Sequence, residues 1–279
     1  MPDRRPAVLA DREYRLSAAG GTSGNGLSVS GEVLDQPAGN VLAGTGGRSL
    51  NGTAGNGSAQ PAGGPVPGGG AGGPDRVGIF GGTFNPPHIA HLICAQEAYL
   101  RLGLTRVIIM PSGQTPNKPL EHDPGALHRL ELCRLAVSGD SRFEVSEIEV
   151  RRSGPSYTAD TLAALKELLP GSELYLIVGS DVAAGLPTWH QPERVLGMAT
   201  LAVASRGGTS RQKVAAALTG LARPGDVEFF TMPRLAVSST EIRARVSAGD
   251  PVTYLVPQGV ASYIDEHCLY REVAEIAHT

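Results

Sequence analysis

From Arg76 onward, short aliphatic runs alternate with stretches whose apolar residues recur at helical spacing. "RVGIF" (76–80), "RVIIM" (106–110), "ELYLIV" (173–178) and "TLAVAS" (200–205) are β-branched or aliphatic and bounded by Gly, Pro or Ser. Such continuous runs predict parallel strands buried on both faces. Residues 91–102, 126–137 and 158–169 carry the 3.6-residue period and predict helices. Strand and helix in alternation predict an α/β fold, a Rossmann-like doubly wound parallel sheet with helices on both faces. One domain over 76–279 is the economical reading. Ligands of such sheets sit beyond the carboxyl ends of the strands, so the loops that matter are 81–90, 111–119, 179–191 and 205–209.

The first 75 residues break this pattern. About half of the 37 glycines fall there, and "QPAGGPVPGGGAGGPD" has neither a period nor large apolar side chains to offset the entropy of ordering. They read as a disordered, Gly/Pro-rich tail. Neither its start, "MPDRRPAVLADREYRL", nor any other segment is apolar and continuous enough for a signal or a membrane span, which implies a cytoplasmic protein. A net charge of −3 gives no support to broad nucleic-acid or anionic-membrane binding, so any anion site is local. Cys94, Cys133 and Cys268 lack metal spacing and read as reduced thiols, each a small buried apolar residue. The sequence is compatible with a homo-oligomer.

The chemistry begins in "GIFGGTFNPPHIAHL" (78–92). Gly81 and Gly82, without Cβ, let a backbone approach a bulky anion, and Thr83 adds a hydroxyl. Pro86 and Pro87 stiffen the start of a helix at Pro87 or His88, which puts His88 and His91 on one face of its first turn. A helix start with free N–H groups and two imidazoles suits phosphate; the bland alternative is a pair of polar surface histidines. A histidine-bound metal lacks a third nearby ligand, and the glycines do not reproduce the G-x-G-x-x-G spacing of dinucleotide oxidoreductases. The second signal is "VSSTEIRARV" (237–246). Ser238 and Glu241 form a capping box, Ser239 and Thr240 add hydroxyls, and Arg243 lies where the helix dipole disfavours a cation unless an anion is near. Two such helix starts, without a Ser-His-Asp or Cys-His set, point to transfer at phosphorus by positioning and charge neutralisation.

Together "GGTFNPPHIAH" and "VSSTEIR" resemble the two signatures of the nucleotidylyltransferase superfamily. "PSYTADTL" (155–162), "IVGSDVAAGLPTWHQ" (177–191) and "YLVPQGVASYIDEHCLY" (254–270) resemble the bacterial nicotinate-nucleotide adenylyltransferases within it. That resemblance implies attack of the nicotinate mononucleotide phosphate on the α-phosphorus of ATP, giving deamido-NAD and pyrophosphate with Mg²⁺ as cofactor. It implies His88, His91 and Arg243 as catalytic groups. Gly81, Gly82, Thr83, Phe84, Gly179, Asp181, Ser239, Thr240 and Arg243 would face ATP. Lys118, Tyr157, Thr158 and Trp189 would face the acceptor, with the indole stacking on the pyridine ring. On residues alone, Lys118 is equally a solvated lysine, Asp181 an N-cap and Trp189 a packing residue.

Two letters depart from the signature: Asn85 stands at the motif aspartate and Ala90 at the motif glycine. Asn85 keeps size and acceptor but loses a charge, which argues against an obligatory metal ligand or base there. Neither change removes a phosphate donor. The alternatives are a superfamily enzyme with another acceptor, such as phosphopantetheine, and a non-catalytic nucleotide-binding protein.

Overall fold

The computed structural model describes residues 16–18, 73–116, 120, 122–205, 209–223 and 225–271. The strands are β1 (Leu16–Ala18), β2 (Arg76–Gly82), β3 (Arg106–Pro111), β4 (Phe143–Ser146), β5 (Glu173–Gly179), β6 (Thr200–Ser205) and β7 (Val227–Thr231). The α-helices are α1 (Ile89–Arg101), α2 (Ala126–Ala136), α3 (Ile148–Arg151), α4 (Thr158–Leu168), α5 (Ser180–Ala184), α6 (Pro192–Met198), α7 (Thr209–Ala217), α8 (Ser239–Ala248) and α9 (Gln258–Glu266). A 3₁₀ turn covers Leu186–Thr188.

All seven strands form one sheet in the order β1-β4-β3-β2-β5-β6-β7. Pairing from β4 to β7 is parallel throughout, whereas β1 lies antiparallel on β4, with Ser17 opposite Val145. The strand order reverses between β2 and β5, the switch point where α/β sheets leave a crevice.

Alternation along the strands builds two cores. Val107, Ile109, Tyr175 and Ile177 pack on one face with Ala95 and Ala98 of α1 and Leu130 and Cys133 of α2. Ile108, Met110, Leu176 and Val178 pack on the other with Leu162 and Leu165 of α4, Val195 of α6 and Val214 of α7. Side chains with period two thus meet apolar helices on both sides, as continuous aliphatic runs require. Ile242 and Val246 of α8 and Val260 and Ile264 of α9 gather on Leu132 of α2 in a third cluster.

The structure corrects several expectations. β1 lies inside the segment read as a tail; the rest of 1–72 is outside the described residues. β4 and β7 went unread, and 179–191 is not a plain loop, since it contains α5 and the 3₁₀ turn. Cys94 and Cys133 are buried, but Cys268 is exposed. Among the described residues no helix is long and apolar enough to cross a membrane.

Candidate active site

The ends of β2 and β5 flank the switch point, and glycines end both strands. Adding a Cβ to Gly81 or Gly179 would meet no atom within 4 Å, so both face open space in the crevice. Phe84 follows in the left-handed region at φ 49, unfavourable for an aromatic residue. Its ring is 2% exposed and packs edge-on against Phe80 (5.6 Å) and His91 (5.1 Å). Phe84 therefore reaches the crevice chiefly by supporting His91.

Helix α1 starts at Ile89, later than the sequence reading set it, and His88 is its extended N-cap (φ −146, ψ 171). His88 and His91 stack with centroids 3.7 Å apart and planes at 22°. The backbone N–H of His88 donates to His91 Nδ1 at 3.2 Å. A neutral ring that accepts at Nδ1 carries its proton on Nε2, which makes His91 an N–H donor on its far side.

The second helix start meets the first. Ser238 caps α8, its hydroxyl accepting the Glu241 N–H at 3.1 Å, one half of the expected capping box; the Glu241 carboxylate pairs instead with Arg245 at 3.4 Å. Ser239 Oγ donates to the Pro86 carbonyl at 2.9 Å, and an Arg243 terminal nitrogen donates to the Asn85 carbonyl at 2.9 Å. The other terminal nitrogen of Arg243 lies 3.4 Å from Thr240 Oγ1, and its Nε is buried with no hydrogen-bond partner. In this state Ser239 and Arg243 staple the first loop to α8. Asn85 itself is 3% exposed, a buried part of that staple.

A cavity of about 410 Å³ lies between these elements, lined by Gly81, Gly82, Phe84, His88, Ala90, His91, Gly179, Ser238 and Ser239 among others. Thr240 and Arg243 stand outside its lining. Asp181 is exposed in the first turn of α5, whose N-cap is Gly179, so the reading of Asp181 as a cap is corrected: the strand runs straight into the helix two residues earlier. A second cavity of about 210 Å³ shares Gly81, Gly82 and Ile177 with the first and is lined also by Thr83, Ser112, Glu149, Ser156, Thr158 and Trp189 among others. Trp189 is half-buried and packs against the core of that face. It also lines an outer hollow of about 500 Å³ with Tyr157, Thr158 and His190, where the Tyr157 and His190 rings lie 4.4 Å apart. Lys118 lies outside the described residues.

Sequence reasoning missed two buried charged groups here. Burial pushes the Glu149 carboxyl above the usual range, offset in part by the Thr161 hydroxyl (2.8 Å), Arg152, Ser156 and Arg129. Arg129 is 1% exposed and bonds to both loops of the crevice. The available signal was its place on α2: it stands three residues after Ala126 and four before buried Cys133, on the apolar side where a charge is costly.

Comparison with known proteins gives this arrangement its family. The cytidylyltransferase-like family model matches residues 79–245. A probable nicotinate-nucleotide adenylyltransferase of Roseiflexus sp. (strain RS-1) is 44% identical over 196 residues, covering 70% of this chain and 98% of that one. One from Desulfitobacterium hafniense (strain Y51) is 40% identical over 203 residues, covering 71% and 97%. The solved Plasmodium falciparum nicotinic acid mononucleotide adenylyltransferase complexed with NaAD shares the fold, with TM-score 0.55 at 19% identity over 70% of this chain and 97% of that one. On family match, identity and coverage together, the chain belongs to the nicotinate-nucleotide adenylyltransferases of the cytidylyltransferase-like family.

Proposed function

We propose that the chain transfers the adenylyl group of ATP to nicotinate mononucleotide, releasing pyrophosphate and forming deamido-NAD for NAD biosynthesis. One observation carries this reading. The cavity beside the stacked histidines and the cavity lined by Trp189 share Gly81 and Gly82 in their walls, so a triphosphate in one and a flat-ringed phosphate ester in the other would meet at that glycine pair.

A phosphate oxygen of the acceptor attacks the α-phosphorus, and a new P–O bond forms there. The bond from that phosphorus to the bridging oxygen breaks, and its electron pair leaves with pyrophosphate. No protein nucleophile is needed. His91, with its proton on Nε2, and His88 donate to phosphate oxygens as charge shifts in the transition state. The start of α8 faces the leaving phosphates through Ser239, and Arg243, outside the cavity lining while it is bonded to Asn85, neutralises them on turning toward the cleft. Trp189 stacks on the pyridine ring, Tyr157 and Thr158 hold the acceptor, and Lys118 neutralises a phosphate. Among the described residues no three His, Cys, Asp or Glu side chains converge into a metal cage. Mg²⁺ would be held mainly by the phosphates and water and would supply charge neutralisation on the leaving group. Buried thiols at Cys94 and Cys133 suit the reducing cytoplasm.

The deciding assay offers the purified protein ATP and Mg²⁺ with nicotinate mononucleotide, nicotinamide mononucleotide or phosphopantetheine and measures pyrophosphate release. Release is expected with nicotinate mononucleotide. Release with phosphopantetheine alone would overturn the acceptor, and silence with all of them would overturn the enzyme.

A further inference from the structure

Arg129 is the largest fully buried side chain among the described residues, and its neighbours on α2 are Leu130, Leu132 and Cys133. A leucine there would avoid the cost of burying a charge. The guanidinium provides what no aliphatic side chain can. One terminal nitrogen donates to the carbonyls of Thr83 (3.0 Å) and Ser112 (2.6 Å), the other to that of Gly113 (3.0 Å), and Nε to Asp123 Oδ1 (2.9 Å). Thr83 belongs to the loop after β2 and Ser112 and Gly113 to the loop after β3. The same two loops touch directly where the Ser112 N–H donates to the Gly82 carbonyl at 2.9 Å.

Peptide planarity carries this hold outward. In a trans peptide the N–H points opposite to the C=O, so a carbonyl turned to Arg129 turns the next N–H away from it. The Gly113 N–H obeys this and donates to Ser156 Oγ at 3.1 Å, on the wall of the cavity that ends at Trp189. Thr83 sets the Phe84 N–H by the same rule. We infer that Arg129 is a positioning residue for the transfer: it fixes the loop facing the nucleotide against the loop walling the acceptor, without touching either substrate. This inference rests on the proposed adenylyl transfer. Lysine keeps the charge but lacks the planar fork that reaches both loops at once.

The test compares wild type with Arg129→Lys and Arg129→Ala, assayed well below their melting temperatures and normalised to folded protein. Arg129→Lys should lower kcat by about 10²-fold, the scale of a misplacement near one ångström. For Arg129→Ala, millimolar guanidinium ion should restore at least about tenfold of the lost kcat, as a returned hydrogen-bond donor allows. Amide exchange at residues 82–84 and 112–114 should quicken by about tenfold while β6 is unchanged. A lower melting temperature with wild-type kcat and KM, or loss of kcat with no guanidinium rescue, would overturn the positioning role. If neither variant folds, Asp123→Ala frees one side of the guanidinium from an exposed partner; a several-fold loss of kcat supports the inference and wild-type kcat overturns it. A wild-type protein inert toward every acceptor would refute the adenylyl transfer instead, and amide exchange would then decide for Arg129 alone.

Discussion

Gly113→Ala tests how tightly the acceptor wall is built. A Cβ at Gly113 would lie 2.1 Å from the Glu149 carbonyl oxygen, 2.9 Å from its carbon and 3.3 Å from Ser156 Oγ. The first two are backbone atoms and cannot rotate aside. Since real Cβ atoms essentially never come within 3.0 Å of such a neighbour, the loop after β3 and helix α3 must part by about 0.9 Å. That movement pulls on the Gly113 N–H bond to Ser156 and on the Gly113 carbonyl held by Arg129. Overpacking of about 1–3 kcal/mol and two strained hydrogen bonds at about 1 kcal/mol each predict a loss of roughly 3–5 kcal/mol. Ser112, Glu149 and Ser156 all line the Trp189 cavity, so kcat/KM for the acceptor should fall by about 10–10²-fold. Urea unfolding reads the first effect and steady-state pyrophosphate release the second. Gly197→Ala is the control: its Cβ meets nothing within 4 Å and it lies in α6, where alanine should stabilise by about 0.5–1 kcal/mol. A Gly113→Ala protein with wild-type unfolding midpoint and acceptor kinetics would show that α3 gives way freely, and the rigid-wall reasoning would be wrong.

Other substitutions separate the two ends of the cleft. His91→Ala should lower kcat by about 10²–10³-fold with little change in KM for ATP, and an unchanged kcat would remove His91 from the transition state. Trp189→Ala should instead raise KM for the acceptor by about tenfold, the loss of about 1.4 kcal/mol of stacking; an effect confined to ATP would refute the stacking role. Glu149→Gln addresses pH. The Glu149 pKa is raised by burial, so the fold favours the protonated acid, and its contribution is complete below the ordinary carboxylate value and is lost as pH rises through the raised one. Unfolding free energies at acid and at mildly alkaline pH should therefore converge in Glu149→Gln, which cannot ionise. A variant with the wild-type pH slope would sink this assignment.

The readable parts of the chain were those whose physics is local. "RVIIM" and "ELYLIV" announce strands because both faces of each are buried. "FEVS" and "VEFFT" do not, since they are short and carry the half-buried Glu144 and Glu228 inside the run. The three residues of β1 owe their pairing to β4, a partner more than a hundred positions away, which no local period reveals. The same division holds in the site. Two helix starts were legible because caps, hydroxyls and histidines sit within a few residues of each other. Arg129 was not, because all its partners but Asp123 are backbone carbonyls or a hydroxyl of other loops, and a carbonyl leaves no letter in the sequence.

The bonds from Ser239 to Pro86 and from Arg243 to Asn85 span 153 and 158 residues. A chain emerging from synthesis can lay down β2 to β6 and still lack one whole side of its phosphate cradle. Closing so long a separation is entropically slow and comes late, so competence switches on only when α8 docks. A nonsense mutation between β7 and α8 should leave the sheet without turnover, and complementation by a separately supplied C-terminal fragment becomes a natural way to time the assembly of the catalyst.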